Sequence, residues 1–237
     1  MGCANETSTA SANPGAPPSK LIEVTYFGLG YGRVDPIVQM LQHSGANWKF
    51  HAETFETWGP RKASGKTAEF GALPIIKIGQ REFDLSIPAL RSLAMQLGYY
   101  PCNDWKNAAR VDEVCEVYGD AFNAIAAVLI NEGMSMDDKV STVTKHCSEG
   151  GVVYKFLKLT ESVLARSTGR FLCGDKVTMA DCCLTSFMFN HFKNPNCPLS
   201  GHFGPILARE FPKIETYCGA LEKEFAKHLT SRPPKPF

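Results

Sequence analysis

The spacing of apolar residues changes along this chain and divides it in two. From Leu21 to Phe27 (LIEVTYF) the apolar and β-prone residues run together and stop at Gly28 and Gly30, which predicts a strand. Val34, Ile37, Val38 and Leu41 then recur at helical spacing, with Pro36 in the first turn and Gly45 at the end. Trp48–Ala52 reads as a second strand and Thr57–Ala68 as a polar helical stretch. Pro74 opens a third strand, where a missing N–H is tolerated, and Gly79-Gln80 turns it into a fourth, Arg81–Phe83. Ser86 is placed to cap the next helix, whose buried face is Leu90, Leu93, Ala94 and Leu97. The order βαβαββα implies a right-handed crossover and a parallel strand pair. It is a thioredoxin-like half-domain.

After Gly98 the strand patterns cease. A long amphipathic helix is expected over about 104–131, with Val111, Val114, Cys115, Tyr118, Phe122, Ile125 and Leu129 on one stripe. Helices over 137–147 and 152–165 follow, broken at Gly150-Gly151. Thr178-Met179-Ala180-Asp181 has the spacing of a capping box with Asp as the acid. Phe211-Pro212 starts a last helix through about Lys227. The expected fold class is therefore an α/β thioredoxin-like N-terminal domain followed by an all-α domain. The divisions are a leader at 1–19, the thioredoxin-like domain at 20–98, a linker at 99–103, the helical domain at 104–229 and a proline-rich tail at 230–237 that runs over the surface. The leader is rich in Ser, Thr, Ala, Asn and Pro and cannot bury enough surface to offset chain entropy.

Composition narrows the function classes. The 237 residues carry a net charge of +1, 44% hydrophobic and 21% charged residues, as ordinary globular chains do. The cations are scattered, which argues against nucleic acid as a partner. The nine cysteines are odd in number and lack CxxC spacing, so neither a disulfide framework nor a zinc site is expected. Mostly set among apolar residues, they read as core fillers in a reducing, cytoplasmic compartment. The histidines show no ligand spacing, and no metal is implied. No apolar run approaches the ~18 residues of a membrane span. A membrane association would need acylation of Gly2 or Cys3, and there Glu6 stands where the myristoylation motif wants Ser or Thr.

Four landmarks in fixed order carry a resemblance. They are Tyr26-Phe27 with Gly32-Arg33, Trp58 with Lys62, Phe70-Gly71-x-x-Pro74 before a hairpin and Ser86, and Gly169-Arg170-Phe171-Leu172 with Val177-Thr178-Met179-Ala180-Asp181. From about Lys20 to Lys227 the chain resembles a soluble glutathione transferase, most similar to the sigma-type, tyrosine-using classes. The resemblance implies a cytoplasmic enzyme that conjugates glutathione, as co-substrate, to a small hydrophobic electrophile, and commonly a homodimer.

It also implies roles. Tyr26 matches the residue that stabilises the thiolate. A hydroxyl donating to sulfur favours the charged form and lowers a thiol pKa from about 8.5. Trp58 and Lys62 match the pair that touches the glycyl carboxylate. Leu73, before a cis Pro74, matches the residue whose backbone meets the cysteinyl part. Ser86 matches the serine at the γ-glutamyl carboxylate, and a helix N-terminus suits an anion whatever the family. Asp120 matches an acid that reaches the partner's glutathione amine. Arg33 is expected to brace the turn, and Asp181 to be structural.

Two departures weaken the match. The turn between Tyr26-Phe27 and Gly32-Arg33 is one residue longer than usual, which leaves Tyr31 as an alternative hydroxyl facing the thiol. Leu85 stands where Gln or Glu usually precedes the serine. A second, apolar pocket is expected between the Tyr26–Tyr31 turn and Tyr118 and Phe122. The departures keep two other readings open: a catalytically weak or inactive relative with a structural or interaction role, and a glutathione-dependent isomerase.

Overall fold

A computed structural model of the chain describes residues 20–28 and 31–236. The expected leader and the acylation sites Gly2 and Cys3 lie outside the described residues. The first half holds four strands, β1 (Ile22–Phe27), β2 (Trp48–Glu53), β3 (Ile75–Ile78) and β4 (Arg81–Asp84), in the sheet order β2–β1–β3–β4. β1 and β2 are parallel, β1 and β3 antiparallel, and β3 and β4 form the expected hairpin.

Three helices accompany the sheet: α1 (Asp35–Ser44), α2 (Phe55–Ala63) and α3 (Ser86–Leu97). Ile37, Met40 and Leu41 of α1, and Leu90, Leu93 and Ala94 of α3, share a buried core with Ile22 and Val24 of β1. α1 begins one residue later than its periodicity predicts, because Gly32–Val34 forms a 3₁₀ turn ahead of it, and Gly45 ends it in the left-handed region at φ 69°. α2 is shorter and earlier than the expected 57–68. Thr54 and Thr57 cap each other's backbone N–H groups at 3.2 and 2.9 Å and fix its start.

The second half is helical: α4 (Trp105–Leu129), α5 (Met136–Cys147), α6 (Val152–Arg166), α7 (Met179–Phe187), α8 (Ser200–Glu210), α9 (Pro212–Glu224) and α10 (Ala226–Ser231). The stripe on α4 faces α6 and α7. α7 is buried along its whole length and lies between α4 and α1, so it joins the two halves. Asp181 organises its start: it accepts from the Thr178 N–H at 2.7 Å, the Leu172 N–H at 3.0 Å and the Tyr217 hydroxyl at 2.7 Å. Burial pushes the Asp181 carboxyl above its ordinary pKa despite these donors.

Three features of this half differ from the pattern-based expectation. The chain past Phe187 widens into a π-helical turn, Met188–Phe192. α8 escaped notice because Gly201, Gly204 and Pro205 interrupt its apolar spacing. The single last helix is two, since the α9 ladder ends at Phe225 before α10. Among the described residues no helix is long and apolar enough to cross a membrane. The eight described cysteines are free, and only Cys102 is exposed.

Candidate active site

Strand register gathers most of the singled-out residues at one end of the sheet. Thr25 pairs with Ile75, so Tyr26, the next residue of β1, lies level with Pro74 at the start of β3. Ile75 pairs with Asp84, which brings Leu85 and Ser86 to the same end. On the other side of β1, Phe27 pairs with Glu53, from which α2 departs with Trp58 and Lys62.

Among the described residues the Tyr26 hydroxyl is held from one side. Its hydroxyl oxygen accepts the Arg33 N–H at 3.2 Å. Among the described residues no acceptor takes the Tyr26 proton. Gly32 makes this contact possible: its φ is +54°, and a Cβ there would lie 2.7 Å from the Tyr26 hydroxyl. Burial raises the Tyr26 pKa, while the Arg33 N–H and the Arg33 charge pull it down. The net shift keeps the phenol protonated at neutral pH and so a donor. The Arg33 guanidinium lies 5.3 Å over the Phe122 ring, which ties the turn to α4.

Tyr31 differs in its proton inventory. Its hydroxyl donates to the Pro233 carbonyl and accepts the Lys235 N–H at 3.2 Å. Its ring carries the Arg232 guanidinium at 4.1 Å. The C-terminal tail thus occupies Tyr31. The tail does run over the surface, but it is bonded to the turn beneath it.

Leu73–Pro74 is a cis peptide. The loop before it hangs on Asp84, whose buried carboxylate accepts the Phe70 N–H at 3.0 Å and the Ala72 N–H at 3.2 Å. Nothing in the sequence distinguishes this Asp from a strand-end turn residue, and it escaped the sequence reading. Lys62 crosses the same loop, its Cε 3.7 Å from where a Gly71 Cβ would sit. Trp58 is half-buried and Lys62 exposed. α2 is braced from Glu53, which accepts the Thr57 hydroxyl and the Arg61 guanidinium, each at 2.6 Å. The Thr57 hydroxyl, joined by the Arg61 hydrogen bond and charge, outweighs burial and holds the Glu53 carboxyl below its ordinary range.

Ser86 is the first residue of α3 and not its N-cap. The cap position is Leu85, at φ 68°, the one non-glycine with positive φ among the described residues. The Ser86 and Ile87 N–H groups lie in the first turn without helical acceptors, and Pro88 has none to satisfy. Leu85, 39% exposed, adds no polar atom beside them. Tyr118 does not line an open pocket: it is buried against Phe156 and Phe187, and burial raises its pKa strongly. Phe122, beneath Arg33, remains at the boundary of the turn. Asp120 stands on the exposed side of α4 with no ion-pair partner among the described residues.

Two cavities of about 630 and 570 Å³ lie away from Tyr26. One runs beneath residues 98–104 and 173–178, the other along the tail from Tyr31 to Lys223. The strand-end site is marked by convergent donors rather than by depth. No group of three or more metal-ligating side chains occurs among the described residues.

Residues 120–229 match the family model "Glutathione S-transferase, C-terminal domain". The chain is 28% identical over 225 residues to the glutathione S-transferase class-mu 28 kDa isozyme of Schistosoma bovis, a match that spans 91% of this chain and 98% of the relative. A Fasciola hepatica sigma class GST superposes with a TM-score of 0.75 at 18% identity, covering 92% of this chain and 99% of that one. Monomeric Na-GST-3 of the hookworm Necator americanus does so at 0.75 and 22% identity, over 91% and 99% of the two chains.

Proposed function

We propose that this chain, which belongs to the soluble glutathione transferase family, uses Tyr26 to hold glutathione as a thiolate and conjugates it to a small hydrophobic electrophile. The observation that carries this reading is the Tyr26 hydroxyl, which receives the Arg33 N–H and, among the described residues, has no acceptor for its own proton, at the sheet end shared with Pro74, Ser86 and α2. Tyr31, the rival, already spends its proton on Pro233.

The division of labour follows from the donors. Glutathione is anionic at both ends. The Ser86 hydroxyl and the open Ser86 and Ile87 N–H groups suit its γ-glutamyl carboxylate, with the positive end of the α3 dipole behind them. Lys62 supplies charge for the glycyl carboxylate, and Trp58, half-buried on the same face of α2, supplies an indole N–H. The Leu73 backbone holds the cysteinyl part between them. The Tyr26 proton then meets the sulfur and stabilises its negative charge. The thiolate attacks the electrophile's carbon with its lone pair, a carbon–sulfur bond forms, and the leaving group departs with its electrons or the adjacent double bond takes up a proton. Positioning the thiolate beside the apolar wall at Phe122 supplies the rest of the rate. A homodimer, with Asp120 offered to the second copy's glutathione, and a cytoplasmic setting belong to the same reading.

The test is retention on immobilised glutathione with conjugation of a general aryl halide. Tyr26→Phe should lower kcat/KM about 10- to 100-fold, the worth of one hydrogen bond to a charged group. Tyr31→Phe should not reproduce a loss of that size at pH above the thiol pKa. No binding at millimolar glutathione would leave the chain a transferase-like scaffold. Isomerisation without conjugation would favour the isomerase reading.

A further inference from the structure

The tail and the turn that holds Tyr26 are one assembly. Lys235 is bonded on three sides: its N–H goes to the Tyr31 hydroxyl at 3.2 Å, its Nζ to the Gly28 carbonyl at 3.0 Å, and its carbonyl accepts from Asn194 Nδ2 at 2.9 Å. The Pro233 carbonyl takes the Tyr31 proton. Gly28 and Tyr31 are the described residues on either side of positions 29 and 30, and Gly32 and Arg33 follow directly. The base of the tail is fixed by buried groups. Arg232 donates to Asn190 Oδ1 at 2.6 Å and to the Phe189 carbonyl at 2.7 Å, and lies 3.5 Å from Asp35. His228, just before it, is bonded to Asp35 at 2.9 Å. Buried groups thus hold a strap that is bonded to Gly28 and Tyr31, close in the chain to the Arg33 N–H that the Tyr26 hydroxyl accepts.

We propose that the 233–235 strap and Tyr31 are positioning residues for the Tyr26 hydroxyl, clamping the long turn so that the Arg33 N–H stays on the phenol oxygen. The inference rests on the glutathione-transferase reading for its catalytic consequence. Its structural half, strap to turn to Tyr26, stands without it. Neither the strap nor Tyr31 touches the sulfur. They act by fixing Gly28 and Tyr31, and through Tyr31 the Gly32-Arg33 backbone that follows it directly.

Two variants separate this role from general stability. Deletion of residues 233–237 removes the strap but leaves Arg232 with its buried partners. Tyr31→Phe removes only the hydroxyl between Pro233 and Lys235, and serves if the deletion folds poorly. In tyrosine-labelled protein without ligand, NMR titration should show the Tyr26 phenol pKa rising in both variants as the Arg33 N–H is withdrawn. With glutathione, the acid limb of the kcat/KM profile should move up by about one pH unit, a roughly tenfold loss below it and little change above. The double variant should be no worse than either single one, because both break the same clamp. An unchanged Tyr26 titration would overturn the clamp. A shifted titration with an unchanged acid limb would overturn its positioning role. A parent protein that conjugates nothing would sink the glutathione reading and the catalytic role with it, while the Tyr26 titration would still decide the clamp.

Discussion

α2 and α7 are both nine residues long and are held in opposite ways. Every residue of α7 is buried, and none of α2 is. α7 is fixed by packing against α1, α3, α4 and α9 and by a buried carboxylate with several donors. α2 is fixed by its own capping box and by Glu53, which gathers Thr57 and Arg61 at the surface. α2 leaves Lys62 exposed and Trp58 half-buried, whereas α7 leaves no residue open to solvent. The α7 side supplies the rigid wall. Elements with few buried contacts open locally at low cost, whereas buried ones open only with the whole domain.

The contrast would break first at the buried carboxylates. Asp35 sits where the halves meet, among His228, Arg232 and Asn190. Burial works to raise its pKa, but the charge and hydrogen bond of His228 and the charge of Arg232 outweigh this and hold it below the ordinary carboxylate range. The folded pKa therefore lies under the unfolded value of about 4. The pair's contribution is present above that pH and is lost as pH falls through the folded value. Asp35→Asn should cost about 3–5 kcal/mol at pH 7, because it strands a buried cationic partner, and should flatten the loss of stability below pH 4. Urea unfolding across pH measures both.

Asp181→Ala should cost about 3 kcal/mol, since the Leu172 and Thr178 N–H groups and the Tyr217 hydroxyl lose their acceptor inside the core. It should unfold both halves in one transition, because α7 also packs on α1. Separate transitions would show that α7 does not couple the halves.

At the site end the effects should be smaller and of mixed sign. Leu85→Gly relieves an unfavourable φ of 68° at a half-exposed position and should stabilise the protein by about 1 kcal/mol, read as a higher melting temperature. Thr54→Ala should cost about 1 kcal/mol of helix stability. That loss should appear as faster amide exchange within α2 and a higher glutathione KM, with the global transition almost unmoved. A global loss as large as that of Asp181→Ala would erase the distinction between the two helices.

What could be read in advance divides along the same line. The thioredoxin-like order was legible because each strand and helix has its own apolar period and its own punctuation at Gly28, Gly45, Pro74 and Gly79. The capping residues of α7 were legible because Thr178 and Asp181 sit at fixed spacing. Ser86 was misplaced by one position: a serine before a helix is usually its cap, and only the backbone of Leu85 shows otherwise. Tyr118 was assigned to a pocket because it shares a stripe with Phe122, and periodicity cannot say how deep a stripe lies. Asp84 and Lys235 carried no signal at all, since their partners are backbone groups brought near by folding.

Local chemistry along the chain therefore determined the elements and their order, and the family resemblance added the cis form of Pro74 and the residues expected together at the sheet's end. Only the tertiary structure shows how the partners of Tyr26 and Tyr31 differ. Tyr26 lies in β1 and Tyr31 just beyond it, and of the two, among the described residues, Tyr31 alone has a protein acceptor for its proton. Pro233 takes it from Tyr31 across 202 positions of chain. Sequence spacing carries no trace of so distant a bond, because it exists only once α10 has docked on Asp35 and aimed the tail back at the turn.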